Sequence, residues 1–488
     1  MEQLDQSQAP ILNALQSYLA IDQAAFYMPG HKRGNCIDPQ LDELLGSNIF
    51  KLDLPELPGL EDTIAQAETL AAAAYGAKQT RFLVNGSTIG VQAIVLATCQ
   101  PGDKILVGRN CHRSVISALI LSGARPIYLP TSYNTEFDLD LGVSIHTLKQ
   151  ALAKHSDARA ILITSPNYFG VGAELKEMVA IAHAHHLPVL VDEAHGAHLH
   201  FHPDLPIDAI AAGADLVVQS THKMATSLTQ SSILHCGNSL NEYGLELEAI
   251  DAAINLLQST SPSILLLASL DAARRQMATT GHKLLDRTIE LANQARSQID
   301  HILNLRTIPA SITANFDPTR LTVMLDRLAL TGFDADQILL DSLDAVAEMP
   351  TLSQLVFAFS IGNRNDDVDK LVRSLQVLSD QYSQSRSMDQ SALESKQDLM
   401  IQILTKLPRS PLTPREAFFA KSKRVRLNTA IGKISTELAY AYPPGIPILC
   451  PGEEITKAAI EFLRLLKSSG GVINGCSDPE LEMIMVIA

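Results

Sequence analysis

Cysteine is scarce in this sequence, and its six residues, Cys36, Cys99, Cys111, Cys236, Cys450 and Cys476, are scattered without one C-x-x-C pair. That spacing suggests neither a zinc site nor a disulfide framework, and reduced thiols fit a cytoplasmic protein. Long apolar runs are also missing: none approaches the roughly 20 residues that cross a bilayer. The N-terminus, MEQLDQSQAP, lacks a basic segment followed by an apolar stretch. No membrane partner is expected. Basic residues are in deficit, 38 Lys and Arg against 53 Asp and Glu, for a formal net charge of −15. Such a surface repels phosphate backbones, which argues against nucleic acid as a partner. No repeat of regular period is present.

What is there is enough for a large core: 488 residues, 46% of them hydrophobic, sufficient for two or three domains. Residues 1–60 read as an N-terminal arm, with an amphipathic helix over 10–20 and the turn-rich segment YMPGHKRG, of the kind that packs on a partner subunit. Residues 61–290 read as the large catalytic domain. There, apolar runs at 104–107, 126–129, 160–164, 188–191 and 216–219 alternate with helical patterns, which predicts an α/β fold with a mainly parallel sheet. The pattern over 175–186 puts Leu175, Met178 and Ala182 on one buried helix face. A long helical passage over 264–298 follows, then a smaller α/β domain over 291–378. The Ser- and Gln-rich stretch 379–398 reads as a polar linker or solvated helix, and 399–488 as a C-terminal domain.

The segment VVQSTHKMATSLTQSSILH, 217–235, puts Ser220, His222 and Lys223 directly after a strand. Ligands of open α/β sheets gather at the carboxyl ends of strands, and a lysine there reaches a cofactor aldehyde to form a Schiff base. Alone, a His-Lys pair is just as well a surface feature. Upstream, the strand in VLVDEAHGAHLHF, 189–201, ends in Asp192. A carboxylate at that point keeps the pyridine nitrogen of pyridoxal 5'-phosphate (PLP) protonated, which makes the ring an electron sink. His195 is suited to hydrogen-bond the ring's phenolic oxygen, and His198 to line the cavity. The alternative for His195, His198, His200 and His202 is zinc, but no recognised metal motif supplies a further Glu or Cys, so no metal is expected.

In FLVNGSTIGVQA, 82–93, a strand runs into Gly86, Ser87 and Thr88 and then a helix. Backbone N–H groups at a helix start, with two hydroxyls, suit a doubly charged phosphate; an ordinary N-cap looks the same. RNCHRSV supplies His112 after another strand, where a flat imidazole stacks on a cofactor ring or serves as a core histidine. Order and spacing say more than any one piece: phosphate turn, stacking histidine, strand-end Asp, and a strand-end Lys 31 positions later. This is the layout of fold-type I, aspartate aminotransferase-like PLP enzymes.

The likeness narrows further. MPGHKRG, ELPGLED, NGSTIGVQA, RNCHRSV, TSPNYFGV, VDEAHGAH, QSTHK, TQSSILH, QSTSPS and YPPGIPILCPGE occur in that order between residues 28 and 453. Together they resemble the Orn/Lys/Arg decarboxylase family, in its short bacterial form. The resemblance implies Lys223 as the covalent anchor of PLP, Asp192 on the pyridine nitrogen and His112 stacked on the ring. It puts Gly86, Ser87, Thr88, Ser220 and His222 around the phosphate, with Ser259 and Thr260 reaching it from a neighbouring subunit. The implied assembly is a homodimer with its site at the interface. The implied reaction is decarboxylation of a basic amino acid, arginine first, then lysine or ornithine, to an amine of the polyamine pathway, with Lys223 or His222 returning the proton. The rival readings are another fold-type I enzyme, an aminotransferase or lyase, and a PLP-binding regulator without activity, the latter motivated by two departures from the family pattern. ELPGLED runs almost directly into the next helix, and Ile264 follows SPS where the family commonly has an aromatic.

Overall fold

The short apolar runs become strands of one seven-stranded sheet in the computed structural model, which describes residues 4–21, 24–54, 59–382, 390–441 and 445–488. In chain order these are β1 (Gln79–Leu83), β2 (Lys104–Gly108) and β3 (Arg125–Leu129), a separate hairpin of β4 (Ser132–Asn134) and β5 (Leu139–Gly142), then β6 (Ala158–Thr164), β7 (Val189–Asp192), β8 (Leu216–Gln219) and β9 (Ser232–Cys236). The spatial order is β1-β9-β8-β7-β6-β2-β3. Every pairing from β3 to β8 is parallel, and β9 alone runs against its neighbours. Each residue of β7 and β8 is buried, so helices cover both faces, which is why these runs are continuously apolar rather than alternating. The expected strands agree to within about two residues at either end.

The crossover helices carry the expected faces. Leu175, Met178 and Ala182 are all buried in the helix Leu175–Ala184. The helix Gly86–Thr98 lies so close to β8 that a Cβ on Gly90 would fall 2.6 Å from a Val218 methyl. Only glycine permits that approach. Parallel pairing also sets functional residues side by side: Asp192 closes β7 opposite Val218 of β8, one turn before Lys223.

The 36-residue helix Ile264–Ile299 ties the large sheet to the next unit. Its first turns pack with Tyr75, Phe82 and Ile233. Its last turns, through Leu291, Ala295 and Ile299, enter a core under a second, antiparallel sheet. That sheet contains β10 (Arg306–Thr307), β11 (Arg320–Met324), β12 (Met349–Pro350) and β13 (Gln354–Ala358) in the order β10-β11-β13-β12. A further core surrounds β14 (Ser422–Arg426), β15 (Ala439–Ala441), β16 (Pro447–Leu449), β17 (Ile473–Asn474) and β18 (Met483–Ile487). The polar stretch 379–398 begins inside the helix Asn365–Tyr382 and ends inside the helix Gln390–Thr405, and 383–389 lie outside the described residues.

The helix Pro10–Leu19, read as part of a partner-binding arm, packs on its own chain. Ile11 and Leu15 belong to the core with Tyr75, and the Ile11 N–H donates to Asp271 Oδ2 at 2.9 Å. Ile264 sits in that same core and is buried, so the departure after SPS is absorbed by packing at the start of the long helix. Leu60, Glu61 and Asp62 of ELPGLED are the first turn of the helix Leu60–Tyr75, while residues 56–58 of that motif and 442–444 of YPPGIPILCPGE lie outside the described residues. No helix among the described residues is long and apolar enough to cross a membrane.

Candidate active site

The carboxyl ends of β1, β2, β7 and β8 converge, and each delivers one chemical group. Asp192, last residue of β7, is 3% exposed and accepts the Ala194 N–H on Oδ1 at 3.2 Å. Burial pushes its carboxyl up, and the nearby Lys223 pulls it back down. Lys223 follows β8 in the short helix Thr221–Met224 and is partly buried. Burial lowers its ammonium, and Arg320 adds to that, against attraction from Asp192 and Glu348. An amine poised toward its neutral form is a nucleophile.

Two histidines flank that amine. His195 is buried, with Nε2 3.1 Å from Lys223 Nζ, Nδ1 2.7 Å from Arg320 Nη2, and its ring edge-on to Tyr168 at 4.8 Å between centroids. Burial, followed by Lys223 and Arg320, holds it well below the usual imidazole range, so it is neutral. His112 caps the helix Arg113–Ser122: its Nδ1 accepts the Ser114 N–H at 3.2 Å and lies 2.8 Å from the Ser114 hydroxyl. Burial first, then Lys223 and Arg113, lowers it to about 4, again a neutral ring.

At the β1 end, Gly86 has φ +77° and gives its own N–H to Gln230 O at 2.7 Å. It therefore supplies the turn, while Ser87 and Thr88 occupy the first helical turn, where N–H groups have no intrahelical acceptor. The Ser220 hydroxyl donates to Ser87 Oγ at 2.7 Å, joining the β8 end to this helix start. His222 donates its Nδ1–H to Ser231 O at 2.8 Å, since a carbonyl only accepts, which leaves Nε2 as a bare acceptor nitrogen. Burial lowers this ring as well. Ser259 and Thr260 are exposed, beside the same turn: the Ser259 N–H donates to Asn85 Oδ1 at 3.1 Å.

The remaining histidines of the cluster disperse. His198 approaches Asp317 at 3.1 Å, His200 pairs with Asp208 at 2.9 Å and His202 with Asp286 at 2.9 Å. Among the described residues, His202, His282 and Asp286 alone bring three metal-type ligand atoms together. His202 Nδ1 accepts the Asp204 N–H at 3.2 Å, however, so Nε2 holds the proton and its lone pair is not offered to a cation.

Several site residues had no local signal in the sequence. Arg320 begins β11 in the second sheet and is 1% exposed. Glu348, just before β12, is exposed and close enough to act electrostatically on Lys223, His222 and Arg320. On the other side, Arg109 of the His112 turn makes a two-point ion pair with Glu453 at 2.9 and 3.1 Å. Arg113 donates to Tyr440 Oη at 2.5 Å. The C-terminal segment thus holds the turn that presents His112.

An amine, a buried carboxylate in need of a cation, flat neutral imidazoles and a helix start with hydroxyls match what the aldehyde, pyridine nitrogen, ring and phosphate of PLP require. The residues fit that group. Two family models match the chain: Orn/Lys/Arg decarboxylase, major domain, over residues 9–379, and Orn/Lys/Arg decarboxylase, C-terminal domain, over residues 397–477. The chain belongs to the Orn/Lys/Arg decarboxylase family. The motif likeness read from the sequence therefore holds across this decarboxylase-family chain. It is 37% identical over 495 residues to an arginine decarboxylase of Bacillus subtilis strain 168, with 99% of each chain covered. It is 24% identical over 577 residues to the constitutive lysine decarboxylase of Escherichia coli K12, covering 96% of this chain and 79% of the other. The solved structure of that E. coli enzyme superposes with a TM-score of 0.81 at 22% identity, over 99% of this chain and 82% of the other. The fold also extends to a solved structure of SPT with PLP, TM-score 0.50 at 18% identity, covering 65% of this chain and 76% of that one.

Proposed function

We propose that Lys223 holds PLP and that the protein releases CO2 from a basic amino acid, arginine before lysine or ornithine. The observation that carries this is the Lys223 amine 3.1 Å from His195, one strand from the buried Asp192, at the carboxyl ends of parallel strands. When bound, PLP supplies an electron sink for the pair released from the bond between Cα and the carboxylate. Asp192 stabilises positive charge at the pyridine nitrogen, and burial makes that pairing strong. Ser87, Thr88 and Ser220 hold the phosphate end, and His112 covers the ring and excludes water. Lys223 then returns a proton to Cα. His222 is the poorer donor, because its only proton is committed to Ser231.

Arginine is favoured because the relatives at 35 to 37% identity are named arginine decarboxylases, and the lysine decarboxylases stand at 24% and below. A basic side chain needs an anion, and Glu348 is a carboxylate at hand. A homodimer is supported by the exposed apolar residues Phe26, Met28 and Leu44 and by the exposure of Ser259 and Thr260, which a second copy would cover. Six free cysteines, four of them buried, suit a reducing cytoplasm.

The test is incubation of PLP-loaded protein with arginine, lysine and ornithine, followed by mass analysis. CO2 with agmatine, and lesser amounts of the diamines, is the expected result. A keto acid product points instead to an aminotransferase, and bound PLP without any turnover to an inactive regulator; either outcome overturns the reading.

A further inference from the structure

We propose that Arg320 is a positioning residue that fixes the tautomer of His195, so that the protonated Nε2 faces Lys223 and the group bound there. The argument starts from donor and acceptor counts. Arginine is always a donor, and its Nη2 lies 2.7 Å from His195 Nδ1. Nδ1 must therefore accept. A neutral imidazole has one N–H, so the proton sits on Nε2, 3.1 Å from Lys223 Nζ. Nε2 then donates and Lys223 accepts as a free amine. A PLP held on Lys223 would offer its phenolic oxygen as an acceptor in place of the amine lone pair, and His195 Nε2–H would be the donor to it.

The guanidinium is held for this task. Arg320 starts β11, paired with Ala358, and its carbonyl accepts from Arg296 Nη2 at 3.1 Å. Its stem runs against Gly170, whose φ is +89° and where a Cβ would fall 2.7 Å from Arg320 Cβ. Nη2 also reaches Met224 Sδ at 3.3 Å, next to Lys223. The groups facing His195 come from every element around it: Lys223, Arg320, His112, His198 and the ring of Tyr168, with Asp192 acting through Lys223 and Asp317 and Glu348 acting through Arg320. Of these, only Arg320 contacts Nδ1 among the described hydrogen bonds.

This rests on Lys223 being the PLP lysine, and the experiment separates the two claims. In full-length protein labelled with 15N-histidine, His195, assigned by its loss in His195→Gln, is expected to be protonated on Nε2. Arg320→Met is expected to release it to the Nδ1 form or a mixture, and Arg320→Lys, still only a donor, to retain it. In PLP-loaded protein, the pH midpoint of the visible absorption band should move by about one unit or more in Arg320→Met and stay near wild type in Arg320→Lys. In Arg320→Met, kcat should fall about tenfold to a hundredfold with KM within about threefold, the loss of one hydrogen bond to a charged group. A proton on Nδ1 in the wild type, an unmoved midpoint in Arg320→Met, or equal damage from Lys and Met overturns the assignment. A wild-type protein without any visible band overturns the cofactor reading instead, and the histidine spectrum then still decides the tautomer.

Discussion

Two buried arginines join the large domain to its neighbours, one on each side of the site, and they are treated in opposite ways. Arg109 and Arg320 are both 1% exposed. Arg109 meets Glu453 at two points, Cys450 Sγ at 3.1 Å and the Ile448 carbonyl at 3.2 Å. Burial works against its charge, but Glu453 and then Cys450 overcome it and raise the group above the ordinary value. Arg320 makes its short bond to a neutral imidazole, and its Nε and Nη1 have no hydrogen-bond partner among the described residues. Burial lowers it, despite Asp317 and Glu348. Arg109 Nε also lacks a hydrogen-bond partner among the described residues, so what separates the two is the counter-charge: a buried guanidinium that meets a carboxylate at two points serves as a structural clamp. One bonded to a neutral ring beside reactive groups, with no carboxylate in ion-pair contact among the described residues, costs stability, and such arrangements persist where chemistry needs them.

The sharpest way to break this comparison is to remove one partner from the clamp. Glu453→Leu should destabilise the protein by about 3–5 kcal/mol in urea denaturation, because it strands a buried guanidinium. Adding Arg109→Met should recover most of that, to within about 1–2 kcal/mol of wild type, since the pair replaced by apolar groups of similar volume is close to neutral. Arg320→Met should behave differently, losing turnover with a stability change below about 1 kcal/mol. Equal loss of stability at both arginines would erase the distinction.

A smaller effect should come from Gly90→Ala, about 1–3 kcal/mol by overpacking against Val218, with weaker PLP retention because the helix that carries Ser87 and Thr88 must shift. Acid gives a graded effect. His112, His195, His222 and His235 all sit below the ordinary 6.5, burial being the first cause in each, with His112 at about 4 and His235 at about 3. At these four sites the unfolded chain takes up protons that the fold refuses, so their contribution to stability is lost from pH 6.5 down through 4 to 3, opposed by Glu68, which burial pushes up to about 7, and by Glu193, also raised by burial. Urea midpoints at pH 7 and pH 5 check the histidine sign by comparison with His235→Gln, which should lose less on acidification than the wild type. The smallest change belongs to Glu348→Gln: an exposed carboxylate contributes about 0.2–1 kcal/mol, so KM for arginine should rise by about fivefold at most, and less in high salt.

The same contrast explains what was legible in the sequence. β8 was read at its observed bounds, and the other large-sheet strands nearly so, because runs buried on both faces leave a continuous apolar signature between Gly, Pro and Asp. Lys223, Asp192, His112, His195, Ser87 and Ser220 stood out because each follows such a run, and parallel pairing brings those ends together. Arg320 stands 125 positions from His195, and Arg109 stands 344 from Glu453. Contacts of that range leave no periodicity and no local motif. The arm helix was legible only in part for a related reason: an apolar face tells that a helix is covered, and Ile11 and Leu15, which pack within their own chain, do not say in the sequence by which chain.

The account rests on Lys223, and borohydride reduction of the PLP-loaded protein, followed by peptide mass mapping, tests it most directly. The predicted result is a pyridoxyl adduct on the peptide that contains Lys223, absent in Lys223→Ala together with CO2 release. An adduct on another lysine, or CO2 release that survives Lys223→Ala, would contradict it.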